Sequence, residues 1–391
     1  GIFMDEAVFQ SFFLIFTGSA IIASLAIYCR QPLLVAYIGL GALIGPYCLG
    51  WVQDVHLLSE ISEIGIIFLL FLLGLDLQPQ SLMAALKKVT VVTLISSFSF
   101  AAVGYVIAYL FGYTIIESLI IGSAMMFSST IISIKLLPTT ILHHRHIGEM
   151  MIGLLLMQDF LAIFVLLILL SGEGGQIDVM QIGITLLALP LLILFAWAFV
   201  KWVLLKLIAK FDRMGEYIFL LAIGWCMGLS ELAEVLGLSR EIGAFLAGIT
   251  IASSPISQHI ALTLKPLRDF FLIMFFFSLG AGFNLGLLPE IALAAVVLGI
   301  AMLALKPAIF RFLLGRQSEK KVLAWDVGFR LGQISEFSLL IAYVAFDTAL
   351  ISVQASHLIQ AAAILTFLAS SYIVIFNFPN PIAVSEKLRR N

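Results

Sequence analysis

Long apolar runs separated by short polar connections make up this sequence from end to end. Most of the runs are about 17 to 25 residues long, the length that an α-helix needs to cross the hydrocarbon core of a bilayer. Bounding each run by charged residues, proline or glycine predicts an all-α polytopic membrane protein with thirteen membrane-spanning segments. The segments cover residues 8–29, 33–51, 61–77, 89–111, 115–136, 148–170, 179–208, 216–235, 241–256, 267–285, 290–313, 323–346 and 355–377.

Composition narrows the function classes that this chain can have. Hydrophobic residues make up 62% of it and charged residues 11%, and the mean hydropathy is +1.14. Soluble domains average about 45–50% apolar and about 25% charged residues, so a soluble enzyme, a nucleic-acid binder and a disulfide-built secreted module are excluded. Cys29, Cys48 and Cys226 lie far apart without a CxxC pair, which indicates neither a disulfide framework nor a metal cluster.

The distribution of charge predicts the orientation of the segments. All but three of the 21 basic residues lie in the odd-numbered connections, near the segment ends that flank them, or in the tail after the last segment, whereas the even-numbered connections are mainly acidic. Positively charged connections stay in the cytoplasm, so the N-terminus is expected outside and the C-terminus inside. The three exceptions are Arg240, Lys306 and Arg330, and two acids, Asp159 and Glu336, lie far from the ends of apolar segments.

Asp159 and Lys306 are the sharpest of these exceptions. An ionisable side chain at membrane depth is costly, and it usually has a partner or a function. Asp159 lies in the middle of segment 148–170, and Lys306 lies deep in segment 290–313 just before Pro307. One interpretation is a structural ion pair between two helices. The other, which we favour because buried structural pairs contribute little to stability, is that Asp159 binds a proton or a cation with Lys306 as its counter-charge.

Two segments contain polar interruptions, at residues 127–130 (FSST) and at 332–336 (GQISE). Unwound or polar backbone at membrane depth is tolerated where it is buried or lines a cavity. If segment 179–208 is a linker helix, each interruption falls in the fifth helix of a six-helix half, about 8–170 and 216–377. Matched interruptions are typical of inverted-repeat transporters with a site at the midplane. The ion- or proton-binding candidates beside Asp159 are then Ser128, Ser129 and Thr130, and the residues that either support the second interruption or pair structurally are Arg330, Gln333, Ser335 and Glu336.

Seven stretches, taken in order and spacing, carry a resemblance that covers nearly the whole chain. They are GALIGPYCLG (41–50), FLLFLLGLDLQP (68–79), FSST (127–130), LLLMQDFLAI (154–163), IGAFLAGITIASS (242–254), FFFSLGAGF (275–283) and GQISEFSLLIA (332–342). Together they resemble the membrane domain of the Kef-type potassium/proton antiporters, in the second monovalent cation:proton antiporter group.

The resemblance implies a sodium/proton-antiporter-like fold with two crossing discontinuous helices, working as a homodimer by elevator-like alternating access in a bacterial inner membrane. The family's ion-binding aspartate falls on Asp159, preceded by Gln158, and its core lysine falls on Lys306. The implied function is secondary active exchange of a monovalent cation for H⁺, the two competing for Asp159. The chain is not expected to be an enzyme.

Several expectations about substrate and partners follow from the same resemblance. The Gln158-Asp159 pair favours K⁺ and a one-for-one exchange, because electrogenic relatives have two adjacent aspartates there. Sodium/proton exchange and a gated cation channel lined by Asp159 stay open as alternatives. No cofactor is expected in this chain beyond the K⁺ or Na⁺ that it transports. Kef-type proteins usually continue into a cytosolic nucleotide-binding regulatory domain, which is expected to be absent from this chain or to be a separate subunit. The expected contacts are membrane lipid and a second copy, and no nucleic acid.

Overall fold

A computed structural model of the chain describes residues 6–29, 31–75, 79–137, 145–171, 179–317, 319–380 and 387–389. The regular elements of these residues are helices, and the β contact that they show is an isolated bridge between Asn380 and Arg389. The α-helices are α1 (Glu6–Tyr28), α2 (Leu33–Ile44), α3 (Val55–Ser62), α4 (Ile64–Leu75), α5 (Pro79–Leu110), α6 (Ile115–Ala124), α7 (Thr130–Lys135), α8 (Arg145–Ser171), α9 (Val179–Phe199), α10 (Leu205–Lys210), α11 (Gly215–Val235), α12 (Arg240–Thr250), α13 (Ser257–Ala281), α14 (Leu288–Arg316), α15 (Lys321–Arg330), α16 (Glu336–Asp347) and α17 (Val353–Asn377). A π-helical turn, Val200–Leu204, joins α9 to α10.

Six helices within the described residues are long and apolar enough to cross a membrane. The predicted segments 115–136 and 323–346 instead form two half-helices each: α6 and α7 have 10 and 6 residues, and α15 and α16 have 10 and 12. At a rise of about 1.5 Å per residue, none of the four crosses a core of about 30 Å alone. The prediction of an all-helical membrane protein is confirmed, while the number thirteen and the inverted repeats stay predictions.

Several helix bounds differ from the predicted segments for local reasons. α5 and α13 each begin ten residues earlier than expected, at Pro79 and Ser257, because lysine favours helix and a charged end can extend a span into water. α2 ends at Ile44, seven residues short of its segment, because Gly45 takes an extended conformation and Pro46 follows it.

The chain divides into two compact units that interleave along the sequence. Unit 1 comprises Gly1–Ser59, Ala85–Leu170 and Phe276–Asn391, and unit 2 comprises Glu60–Ala84 and Ser171–Phe275. The predicted halves, 8–170 and 216–377, stay predictions. Both pairs of half-helices lie in unit 1.

Glycine allows backbones to approach closely in both units. In unit 1, a Cβ added at Gly41 of α2 would lie 2.0 Å from the carbonyl oxygen of Phe277, and one at Gly280 of α13 would lie 2.0 Å from that of Ile38. In unit 2, a Cβ at Gly248 of α12 would lie 2.2 Å from a carbonyl oxygen of α4. Such contacts are typical of helix packing in membranes, where small residues let helices come together without a hydrophobic driving force.

The packing of α15 on α14 positions the second interruption. A Cβ added at Gly328 of α15 would lie 2.8 Å from the carbonyl oxygen of Pro307 in α14, and one at Gly332 would lie 3.4 Å from the proline ring. α15 thus rests directly on the residue that follows Lys306. This contact brings the second interruption to the lysine.

Candidate functional site

The first interruption lies between the end of α6 at Ala124 and the start of α7 at Thr130. Ser128, Ser129 and Thr130 are all buried there, with 1% to 3% of their surface exposed. The hydroxyl of Ser129 caps α7 by accepting a hydrogen bond from the amide of Ile132, at 3.1 Å. A polar side chain at this N-cap satisfies a backbone group that the apolar surroundings would otherwise leave unpaired.

The second interruption, residues 331–335, lies between α15 and α16 and is satisfied in the same way. Ser335 accepts from the amide of Phe337 at 3.0 Å, and the amide of Ile334 donates to the hydroxyl of Thr366 in α17 at 2.9 Å. The fully buried side chain of Gln333 donates to the carbonyl oxygen of Arg330 at 2.8 Å.

The two interruptions hydrogen-bond directly to each other, so they meet as one crossing. The hydroxyl of Ser128 donates to the carbonyl oxygen of Leu331 at 2.7 Å. The amide of Ser129 donates to Oε1 of Gln333 at 3.3 Å. The hydroxyl of Ser133, one turn into α7, donates to the carbonyl oxygen of Arg330 at 3.1 Å. We use "the crossing" below for residues 125–133 together with 330–336.

Lys306 holds one carbonyl oxygen from each side of the crossing. Its side chain is fully buried, and Nζ donates to the carbonyl oxygen of Phe127 at 2.7 Å and to that of Gln333 at 3.0 Å. Nζ also lies 5.1 Å from the ring centroid of Phe100. Carbonyl oxygens at interrupted helix ends carry partial negative charge, and Nζ supplies a hydrogen-bond donor to one on each side.

Glu336 accepts hydrogen bonds from the N-terminal end of a half-helix. Its Oε1 accepts from the amides of Thr130 at 3.0 Å and Ile131 at 3.4 Å, in the first turn of α7. Its Oε2 is buried and has no hydrogen-bond partner among the described residues. The carboxylate therefore lies at the positive end of α7, with one oxygen left over.

Gln158 connects α8 to the crossing. It is 2% exposed, its Oε1 accepts from the amide of Ser128 at 2.7 Å, and its Nε2 is buried without a partner among the described residues. Asp159 is the next residue of α8, and its side chain lies outside the described residues. The structure thus brings Gln158 to the first interruption, and the expected pairing of Asp159 with Lys306 stays a prediction.

The guanidinium of Arg330 bonds to one carboxylate and to two backbone carbonyl oxygens. It donates to Asp326 one turn earlier in α15, to the carbonyl oxygen of Leu136 at 3.0 Å and to that of Pro379 at 2.6 Å. Within the described residues, its contacts to the crossing come from its backbone carbonyl, which accepts from Ser133 and Gln333.

Four hydroxyl residues in the crossing or beside it are not among the residues that the sequence singles out: Ser133, Ser338, Thr366 and Ser370. Ser338 donates to the carbonyl oxygen of Ala124, and Ser370 accepts from Gln333 at 3.1 Å. The sequence spacing does indicate some of these contacts. Ser129 and Ser133 are four residues apart, as are Thr366 and Ser370, which places each pair on one helix face. Hydroxyls repeated on one face of an apolar helix indicate contact with another helix.

The chain is similar to several known proteins. The family described as sodium/hydrogen exchanger, transmembrane, matches residues 13–377. K(+) efflux antiporter 4 of Arabidopsis thaliana is 29% identical over 92% of this chain and 61% of its own length. The putative cation/proton antiporter YbaL of Escherichia coli is 28% identical over 89% of this chain and 64% of its own.

A solved structure gives the fold. The sodium proton antiporter MjNhaP1 from Methanocaldococcus jannaschii superposes with a TM-score of 0.71 at 16% identity, covering 92% of this chain and 94% of that one. This chain spans about three fifths of the length of the two curated relatives above. The names of these relatives describe transporters and not enzymes.

Proposed function

We propose that this chain, which belongs to the transmembrane sodium/hydrogen exchanger family, exchanges a monovalent cation, K⁺ in preference, for H⁺ by alternating access. The observation that carries the proposal is the 2.7 Å hydrogen bond from the amide of Ser128 to Gln158. It fixes the residue before Asp159 against an unwound segment whose hydroxyls and carbonyls are the kind of oxygen ligand that a hard monovalent cation prefers.

Asp159 is the shared site in this mechanism. Deprotonated, it binds the cation together with Gln158 and the oxygens of residues 128–130. Protonated, it carries the proton back in the other facing state. An empty, charged carboxylate is costly to move through an apolar barrier, so the site crosses only when it is occupied, and the two fluxes are coupled.

The contacts of the other ionisable residues around the crossing support this role for Asp159. Lys306 and Glu336 are engaged with backbone groups at helix ends. That arrangement leaves Asp159 as the carboxylate that titrates and exchanges in our proposal. One exchanging carboxylate gives a one-for-one, electroneutral exchange, so the rate should not respond to an imposed membrane voltage.

Potassium is proposed over sodium because of the Gln158-Asp159 pair and the K(+) efflux antiporters among the relatives. The sodium proton antiporter with the same fold makes Na⁺ the second candidate. We also propose a homodimer in a bacterial inner membrane, with the C-terminus inside. The basic residues of the odd-numbered connections support that orientation. A nucleotide-binding regulatory domain or subunit stays a prediction from the resemblance.

The test is cation-driven proton movement in liposomes that contain the purified protein and a trapped pH dye. Addition of K⁺ or Na⁺ against an imposed proton gradient should move protons in the wild type, with K⁺ the more effective. Asp159→Asn should abolish the movement, while the control Asp212→Asn, at an exposed aspartate between α10 and α11, should leave it intact.

Each outcome bears on a separate part of the proposal. A response to Na⁺ alone would keep the mechanism and replace the substrate. Cation flux without coupled proton movement would indicate the channel. Normal exchange by folded Asp159→Asn would remove the central role of this aspartate.

A further inference from the structure

The C-terminal ends of three helices converge on the guanidinium of Arg330. Arg330 is itself the last residue of α15, Leu136 follows α7, and Pro379 follows α17 by two positions. The guanidinium donates to the carbonyl oxygens of Leu136 and Pro379, and also to the carboxylate of Asp326. A planar fork with five donors suits such a three-way contact, which a lysine ammonium does not reproduce.

The segment after α17, residues 378–380, is held in a defined position, and we name it the C-terminal strap. The side-chain amide of Asn380 donates to the carbonyl oxygens of Val374 and Ile375 at 3.2 Å and of Phe378 at 2.7 Å. The ring of Phe378 lies 5.4 Å from that of Phe329 in α15. Asn380, which is fully buried, therefore sets where the carbonyl of Pro379 meets Arg330.

The other end of Arg330 lies in the crossing. Its carbonyl oxygen accepts from Ser133 and from Gln333, and Gln333 in turn accepts from Ser129 and offers its carbonyl to Lys306. α7 has six residues, so about 9 Å of helix separates the end held by Arg330 from Thr130. A helix so short moves as one piece when either end moves.

We propose that Arg330 is a positioning residue that ties the C-terminal strap to the geometry of the crossing, so that displacement of the strap changes the affinity of the site for its cation. This inference rests on the proposed function, because it takes the oxygens at residues 128–130 as cation ligands. A ligand or partner that binds or moves residues 378–380 then regulates cation–proton exchange by changing the affinity of the site for its cation.

Two variants test this link between the strap and the crossing, one at Arg330 and one in the strap. Each has a matched control. Arg330→Lys keeps the charge and loses the fork, and its control Arg316→Lys changes an exposed arginine in the last turn of α14. Asn380→Ala removes the three side-chain hydrogen bonds that position the strap. Its control, Asn377→Ala, changes an exposed asparagine that donates within α17. Exchange in liposomes is measured per folded protein as a function of cation concentration.

Arg330→Lys and Asn380→Ala should each raise the KM for the cation by about three- to tenfold, a size typical of coupling between sites, with a smaller change in maximal rate. The controls should match the wild type. Asn380→Ala acts through the hydrogen bond from Arg330 to Pro379, which Arg330→Lys also loses. The double variant should therefore be no worse than Arg330→Lys alone. An unchanged KM in both single variants, or effects that multiply in the double variant, would overturn the inference.

A second readout separates failure of this inference from failure of the proposed function. Hydrogen–deuterium exchange of a peptide covering residues 130–136 should be faster in Asn380→Ala than in Asn377→Ala, whatever the protein transports. Suppose that deuterium uptake is faster in Asn380→Ala but the wild type shows no coupled cation–proton exchange. That result would refute the proposed function and support the link between the strap and α7. Equal uptake in the two variants, with normal wild-type exchange, would refute that link alone.

Discussion

Removal of one hydroxyl tests whether direct hydrogen bonds hold the two interruptions together. Ser128→Ala deletes the 2.7 Å bond to the carbonyl oxygen of Leu331 and changes the volume of the side chain little. A buried neutral hydrogen bond contributes about 0.5–1.5 kcal/mol net, and a buried acceptor left unpaired costs about 1–3 kcal/mol. The carbonyl retains two lone pairs and can relax, so we expect Ser128→Ala to be destabilised by about 1–2 kcal/mol.

The matched control is Ser123→Ala in α6. The hydroxyl of Ser123 donates to the carbonyl oxygen of Leu119 in its own helix, at 2.8 Å, so its loss affects no other element. Surface substitutions of this kind stay within about 0.5 kcal/mol of the wild type. Unfolding by heat or denaturant in detergent micelles, followed by tryptophan fluorescence, gives the difference between the two variants.

A double-mutant cycle sharpens the result. Ser133→Ala removes the adjacent bond from α7 to the carbonyl oxygen of Arg330, 3.1 Å long. Since both bonds join the same two segments, their effects should couple by more than about 0.5 kcal/mol. Equal stability of Ser128→Ala and Ser123→Ala, together with strict additivity in the cycle, would show that the crossing is not held by these bonds.

Two further predictions concern packing and pH. Gly41→Leu should prevent normal folding, because its Cβ would lie 2.0 Å from a carbonyl oxygen of α13. A Cβ at the exposed Gly39 meets nothing within 4 Å, so Gly39→Leu should fold as the wild type does in size-exclusion profiles. Burial tends to raise the pKa of Glu319, but hydrogen bonds from Lys88 and His146 outweigh it and hold this pKa below its usual range. The ionised carboxylate therefore contributes stability above its unfolded pKa, and this contribution is lost as pH falls through the lower folded value. The stability difference between wild type and Glu319→Gln should be full at pH 7 and vanish in acid, and a deficit that persists at the lowest pH would contradict the assignment.

The sequence by itself determines the fold class, the approximate place of the helices and the two interruptions. The length of an apolar run and its local polarity can be determined from a short stretch of sequence. In a bilayer an apolar run of sufficient length forms a spanning helix, because its backbone groups must hydrogen-bond within the segment. The FSST and GQISE stretches coincide with helix ends for the same reason, because hydroxyl and amide side chains compete with backbone hydrogen bonds. The bounds of α5 fall outside this reasoning, since Lys87 and Lys88 interrupt the apolar run without interrupting the helix.

Only the tertiary structure decides which groups meet. Lys306 contacts carbonyl oxygens 179 and 27 residues away, and Arg330 contacts those of Leu136 and Pro379. Nothing in the identity of Phe127 or Pro379 marks its carbonyl as a partner, because every residue carries the same backbone oxygen. The choice depends on how closely the helices pack, which Gly328 against Pro307 illustrates. Charge in a buried segment indicates that a partner exists, and the packing of the helices selects that partner.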